Sequence, residues 1–203
     1  MTRRTSVVRV AAPQGRPTLE RLEGRTLFAA APVTAVLNNG LLEITGTNRA
    51  DDIHVTRNAG QLDVTSNGTL LGSFGLLAVT DGIRVDAGNG RDMVVIDPGV
   101  SLNAVLLGGN GRDVLLGGSG NDTLDGGRGR DLLTGGAGDD VLTGGNARDE
   151  LNGGAGNDTL DGGSARDAVT GGSGDDQFTA DRDGEVLDLE ANEALTLVKP
   201  SKK

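Results

Sequence analysis

The sequence predicts an all-β fold: a right-handed parallel β-roll, or β-helical solenoid, with 18-residue turns in a repeat array and longer turns before it. Three observations carry this prediction. Gly-Gly pairs recur at every ninth position, at 108, 117, 126, 135, 144, 153, 162 and 171. Within each nonapeptide the sixth residue is aspartate and the eighth is apolar. The chain of 203 residues holds 35 glycines but only three phenylalanines, no tryptophan and no tyrosine, so its core must be thin and built from Leu, Val and Ile.

The chain divides into four parts. Residues 1–32 read as a targeting leader: they are rich in arginine, free of lysine, and end in the small-residue stretch Phe28-Ala29-Ala30-Ala31-Pro32. Arg3-Arg4 is not followed by the hydrophobic core that a twin-arginine signal needs. Leu22-Glu23-Gly24-Arg25-Thr26-Leu27-Phe28 resembles the Leu-Glu-Pro-Arg-x-Leu-Leu leaders of exported bacterial surface proteins, with Gly24 in place of proline and Phe28 in place of the last leucine. That resemblance implies an extracellular or cell-surface destination.

Residues 33–107 alternate apolar and polar residues in short runs, as half-buried strands require. Candidate strands are Leu41–Thr45, Ile53–Thr56, Leu62–Thr65, Ile83–Asp86 and Met93–Ile96. Asn38-Asn39-Gly40, Asn58-Ala59-Gly60, Ser66-Asn67-Gly68 and Asp81-Gly82 supply turns between them. No segment has a helical period. Gly46–Ile53 and Ala87–Val94 look like eroded copies of the later repeat, so this part is expected to extend the same stack with longer turns. The second copy, opening at Ala87, precedes the first intact repeat at Gly108 by close to one turn.

Residues 108–179 form the array. Its sixth positions are Asp113, Asp122, Asp131, Asp140, Asp149, Asp158, Asp167 and Asp176, and its eighth positions run from Leu115 and Leu124 to Val169 and Phe178. Six residues suit a tight loop and three a short strand, with the eighth side chain alone required to point inward. Position five is arginine in odd copies (Arg112, Arg130, Arg148, Arg166) and Asn or Asp in even ones (Asn121, Asp139, Asn157, Asp175). The true unit is therefore a pair of nonapeptides, which places odd loops in one column of the cylinder and even loops in the opposite one. Residues 180–203 read as a cap and tail, with closing strands at Val186–Leu189 and Leu195–Val198.

Charge and composition narrow the function. The stretch from Met1 to Ala31 holds six arginines against Glu20 and Glu23, so the rest of a chain of formal charge −10 carries −14. Nucleic acid is an unsuitable partner for such a body. Cysteine is absent, which removes disulfides and thiolate chemistry. No apolar run reaches the roughly 20 residues of a membrane-spanning helix. Turns stacked about 4.8 Å apart would set the aspartates of a column against one another. A hard cation that takes six to eight oxygens, calcium rather than magnesium, relieves that repulsion.

The nonapeptide Gly-Gly-x-Gly-x-Asp-x-Leu-x, repeated eight times, resembles the RTX (repeats-in-toxin) calcium-binding family. The resemblance implies several calcium ions, each sandwiched between loops two nonapeptides apart by position-six aspartates and loop carbonyls. In one column it pairs Asp113 with Asp131, Asp131 with Asp149 and Asp149 with Asp167. In the other it pairs Asp122 with Asp140, Asp140 with Asp158 and Asp158 with Asp176. The implied carbonyl donors are Gly109, Gly111, Gly118, Gly120, Gly127, Gly129, Gly136, Gly138, Gly154, Gly156, Gly172 and Gly174. In the odd column, Ala147 and Ala165 replace the position-four glycine and each precedes an arginine. Weaker or fewer ions are expected there.

Enzymatic readings find little support. His54 is the sole histidine and sits on a predicted strand, the lysines are confined to Lys199, Lys202 and Lys203, and no nucleophile–base set assembles. Gly-Gly-x-Gly would cradle phosphate only between a strand and a helix. Asp181–Glu185 resembles the start of a calcium loop but lacks its later glutamate, and a capping turn accounts for it better. The expected function is non-catalytic calcium binding by a secreted or cell-surface roll that folds on the ion. The alternative is an adhesion or matrix module that binds an extracellular polysaccharide or cell-surface partner, hinted at by threonines 134, 143, 170 and 179 at position nine.

Overall fold

The computed structural model describes residues 32–179, together with the backbone of 186–188 and 194–196. Two nine-stranded sheets face each other across a single apolar core. The chain enters through an antiparallel pair, β1 (Thr34–Asn38) and β2 (Leu41–Thr47), joined at Asn39 (φ 50°) and Gly40 (φ 96°). Positive φ at both central residues marks the hairpin turn whose twist matches that of the strands it joins. β3 (Asp52–Asn58) opens the second sheet. It turns back antiparallel into β4 (Gln61–Ser66) and then β5 (Thr69–Gly75), which forms that sheet's edge. A single 3₁₀ turn, Leu76–Ala78, precedes β6 (Ile83–Gly90) and β7 (Met93–Ile96).

From there the chain alternates between the sheets. β8 (Ala104–Gly111), β10 (Thr123–Arg128), β12 (Val141–Asn146), β14 (Thr159–Ser164) and β16 (Gln177–Thr179) lie in the first sheet. β9 (Val114–Gly118), β11 (Leu132–Ala137), β13 (Glu150–Ala155) and β15 (Ala168–Ser173) lie in the second. All neighbours among them are parallel, and Leu106↔Leu124 and Leu115↔Leu133 fix the offset of two nonapeptides per turn. The earlier turns are longer, as expected: Leu106 pairs back with Val85, and Val85 with Ile44, each a wider step than that from Leu106 to Leu124. The excess in the longest turn is the β4–β5 hairpin, so the first part of the solenoid combines antiparallel with parallel pairing. β17 (Val186–Asp188) and β18 (Ala194–Thr196) continue the sheets in parallel, at two of the stretches where closing strands were foreseen. Apart from Pro32 the stretch expected to be a leader, residues 1–32, lies outside the described residues, as do Asp181–Glu185 and the rest of the tail.

The core follows the sequence pattern. Position-eight residues Leu115, Leu124, Leu133, Leu142, Leu151, Leu160, Val169 and Phe178 are all buried. The turns before the array carry a richer core, with Leu42, Ile44, Ile53, Val55, Leu62, Val64, Ile83, Val85 and Ile96 buried as well. At about 1.5–3 kcal/mol for each fully buried aliphatic side chain, hydrophobic stabilisation per residue is therefore denser before residue 107 than after it.

Candidate metal sites in two aspartate ladders

The expectation that the eighth position alone points inward needs correction. Every position-six aspartate of the array is buried too, none more than 2% exposed. The physical reason is a ladder of hydrogen bonds along the stack. In the odd column the backbone N–H of Asp113 donates to Oδ1 of Asp131 (2.7 Å), that of Asp131 to Asp149 (2.8 Å), and that of Asp149 to Asp167 (2.7 Å). In the even column Asp122 donates to Asp140 (2.7 Å), Asp140 to Asp158 (2.8 Å), and Asp158 to Asp176 (2.7 Å). The aspartate carbonyls also accept from strand residues of the next turn, as in Leu132 N–H to Asp113 (2.9 Å). The carboxylates are thus structural members of the loops, held in register turn by turn.

The ladders run further than the intact repeats. Asp51 N–H donates to Asp92 (2.8 Å) and Asp92 N–H to Asp113 (2.8 Å), and both aspartates are buried. The even ladder opens with Ala104 N–H donating to Asp122 (2.7 Å). Asp51 and Asp92 were not among the predicted site residues, although the two eroded copies contain them. Ala104 occupies the sixth position of a third eroded copy, residues 99–107, whose signals are Gly99 and Leu106, one nonapeptide before Gly108 and Leu115.

Only one oxygen of each carboxylate is used by the ladder. Oδ2 of Asp92, Asp113, Asp122, Asp131, Asp140, Asp149, Asp158 and Asp176 is buried with no hydrogen-bond partner. An unpaired buried carboxylate oxygen is costly unless an ion or proton satisfies it. Burial accordingly pushes Asp122 and Asp149 up to about 7, and Asp92, Asp131, Asp140 and Asp158 up to about 6. Their hydrogen bonds pull the other way, and neighbouring aspartates in the ladder add to the rise for all but Asp140, where the adjacent Asp139 does so.

The surroundings of the orphaned oxygens are a cradle that a single Cβ would fill. A Cβ on Gly117 would lie 2.5 Å from Asp122 Oδ2 and 2.6 Å from the carbonyl oxygen of Gly135, one turn on. On Gly135 the corresponding distances are 2.2 Å to Asp140 Oδ2 and 2.7 Å to Gly153 O, and on Gly126 they are 2.8 Å to Asp131 Oδ2 and 2.7 Å to Gly144 O. The position-one carbonyls therefore approach the carboxylates, a contact the predicted donor set lacked. Of that set, the carbonyls of Gly109, Gly118, Gly127, Gly136 and Gly154 lie 2.1–2.4 Å from where the next turn's glycine would carry its Cβ, and those of Gly111, Gly120, Gly138 and Gly156 lie 1.4–2.2 Å from it. They project along the stack into the space between loops. Gly129 faces Ala147 instead, and Gly172 and Gly174 begin the last described loop. Among the described residues no three His, Cys, Asp or Glu side chains converge on one point, so any ion here must draw on carbonyls. Carboxylate and carbonyl oxygens alone suit a hard cation such as calcium.

The columns differ. Position-four glycines of the odd column have φ of 149° (Gly111) and 130° (Gly129), whereas Ala147 and Ala165 stand at 77° and 107°. An L-residue held there costs on the order of 1–2 kcal/mol. The even column has a second, exposed ladder at position five, where side-chain oxygens accept the next turn's N–H: Asn103 from Asn121 (3.0 Å), Asn121 from Asp139 (3.1 Å), Asp139 from Asn157 (2.8 Å), and Asn157 from Asp175 (2.9 Å). Arginine has no acceptor and cannot build this ladder, which accounts for the alternation between odd and even copies. Elsewhere, His54 is half-buried and pairs with Asp52 at 2.7 Å. Threonines 134, 143, 170 and 179, the position-nine residues that hinted at an adhesion module, are half-buried.

Two parallel sheets joined by two columns of aspartate-bearing loops define a parallel β-roll repeat protein. Comparison with protein families matches residues 99–133, 107–142 and 143–178 to the RTX calcium-binding nonapeptide repeat. The match starts at residue 99, at the eroded copy that opens the even ladder. The chain thus carries RTX calcium-binding nonapeptide repeats. No curated protein and no solved structure matches it.

Proposed function

We propose that the protein is a secreted or cell-surface calcium-binding β-roll whose array folds on the ion, with a structural rather than catalytic role. The observation that carries this is the row of buried, unpartnered Oδ2 atoms facing carbonyls in both columns. Ordering a residue costs about 1–2 kcal/mol, and one buried aliphatic side chain per nonapeptide offsets a fraction of that. Cation binding supplies part of the remainder, because a site assembled by folding contributes its binding free energy to folding. Extracellular calcium modules work at roughly 10⁻⁴–10⁻³ M, so such sites stay empty in the cytosol and fill outside. RTX repeats are characteristic of secreted bacterial proteins, which supports reading residues 1–32 as an export leader.

The test is circular dichroism of the full chain, first calcium-stripped and then in millimolar calcium. A gain of β signal on calcium addition is expected. A spectrum already complete without calcium and unchanged by it would refute the proposal.

A further inference from the structure

The two edges of the roll differ in charge, and the difference is not explained by ion binding. Along the odd edge Arg91, Arg112, Arg130, Arg148 and Arg166 occupy position five of five successive turns, all of them exposed or half-exposed. None makes an ion pair: among the described residues the one ion pair is His54–Asp52. Arg91, Arg112 and Arg130 line a depression of about 80 Å³, with the buried Asp113 and Asp131 at its base. Glu150 borders the same depression without forming an ion pair to a guanidinium. The even edge presents Asn121, Asp139, Asn157 and Asp175 at the same positions, in an exposed hydrogen-bonded ladder.

Unpaired arginines at about 4.8 Å intervals repel one another, as like charges on a stack do. Their presence on five successive turns of one edge, in a body otherwise acidic, calls for a ligand that is anionic, linear and repetitive. We propose that the odd edge is a binding surface for an anionic polysaccharide, the guanidinium row meeting carboxylate or sulfate groups spaced along the polymer. Arginine's planar fork suits bidentate contact with either anion. A second copy of the chain is a poorer occupant, because the even edge offers a position-five carboxylate only at every other turn. The net negative charge disfavours the denser backbone of nucleic acid. The proposal goes beyond calcium binding and needs only that the roll be folded.

The experiment measures binding of the full chain, in millimolar calcium and low salt, to dextran sulfate, with neutral dextran as control. Arg112→Gln/Arg130→Gln is compared with Arg57→Gln/Arg84→Gln, which removes the same charge away from the row. Binding to the sulfated polymer alone is expected, weakened about tenfold by the row pair and less than twofold by the control pair, with the salt dependence of binding reduced only by the row pair. Circular dichroism on the same samples reports folding, so a failure of calcium-driven folding is read separately from a failure of polymer binding. Absence of binding by the folded protein, or equal losses in the two pairs, overturns the proposal. So does concentration-dependent self-association in sedimentation that only the row pair abolishes, since the edge would then serve a second copy.

Discussion

The two oxygens of a position-six carboxylate do different work, and they can be separated by substitution. In Asp140, Oδ1 accepts the Asp122 N–H and Oδ2 has no partner. Asp140→Asn keeps an acceptor for the N–H and deletes the charge, whereas Asp140→Ala deletes both. Asp140→Asn is expected to raise or leave unchanged the melting temperature of the calcium-stripped protein while blunting its rise with calcium. Asp140→Ala should lower both, by about 1–3 kcal/mol of stability without calcium, for a buried N–H left unpaired. In the odd column, Ala147→Gly/Ala165→Gly relieves residues held at positive φ, a relief partly offset by the added freedom of the unfolded chain. A net gain of about 1 kcal/mol is expected from thermal unfolding, with tighter calcium binding in calorimetric titration. If that strain is what weakens the odd sites, Asp140→Ala should also impair the calcium response of the otherwise unaltered chain more than Asp149→Ala does. Equal effects would mean the columns bind alike.

At the level of strands and turns, the core density divides the molecule. The turns containing β2, β3, β4 and β6 bury two or three apolar side chains per strand, while β10 to β15 rely on one. Hydrogen exchange on the calcium-stripped protein is expected to show slow amides in the former and fast ones in the latter, with calcium slowing the array selectively. Uniform protection in both states would contradict this division. The same contrast explains what was legible beforehand. Fixed spacing of glycine, aspartate and leucine survives translation into structure because each turn repeats one backbone conformation, so the two-nonapeptide unit and the strand Met93–Ile96 could be read from the sequence, while the family match opens one eroded copy earlier, at residue 99. The ladders could not, since they join a backbone N–H to a side chain one full turn away and leave no mark on composition. Asp51 and Asp92 were within reach through their eroded copies. Strands β1 and β5 were missed because Thr34–Asn38 and Thr69–Gly75 pair only at the margins of the sheets and lack strict alternation.

For the molecule as a whole, proton and calcium compete for the same oxygens. A carboxyl whose folded pKa is raised to about 6 or 7, against about 4 when unfolded, binds more protons folded than unfolded. Its contribution to stability is fully present below about pH 4 and is lost as pH rises through about 6 to 7. Calcium-stripped protein should therefore melt at a higher temperature at about pH 5 than at about pH 8, and calcium affinity should fall as the solution is acidified over the same interval, since the ion needs the ionised form. A flat melting temperature without calcium would show that the carboxylates are solvated. The direction of the ladders has a further consequence. Each turn's N–H is satisfied by a carboxylate from the turn that follows, so a chain cut after any complete turn ends with one unmet donor in each column, whatever its length. Shortening the array from its C-terminal side then costs an equal increment per unit, as in a one-dimensional lattice whose boundary energy is constant. Length becomes a dial: stability can be tuned by adding or removing turns of the array.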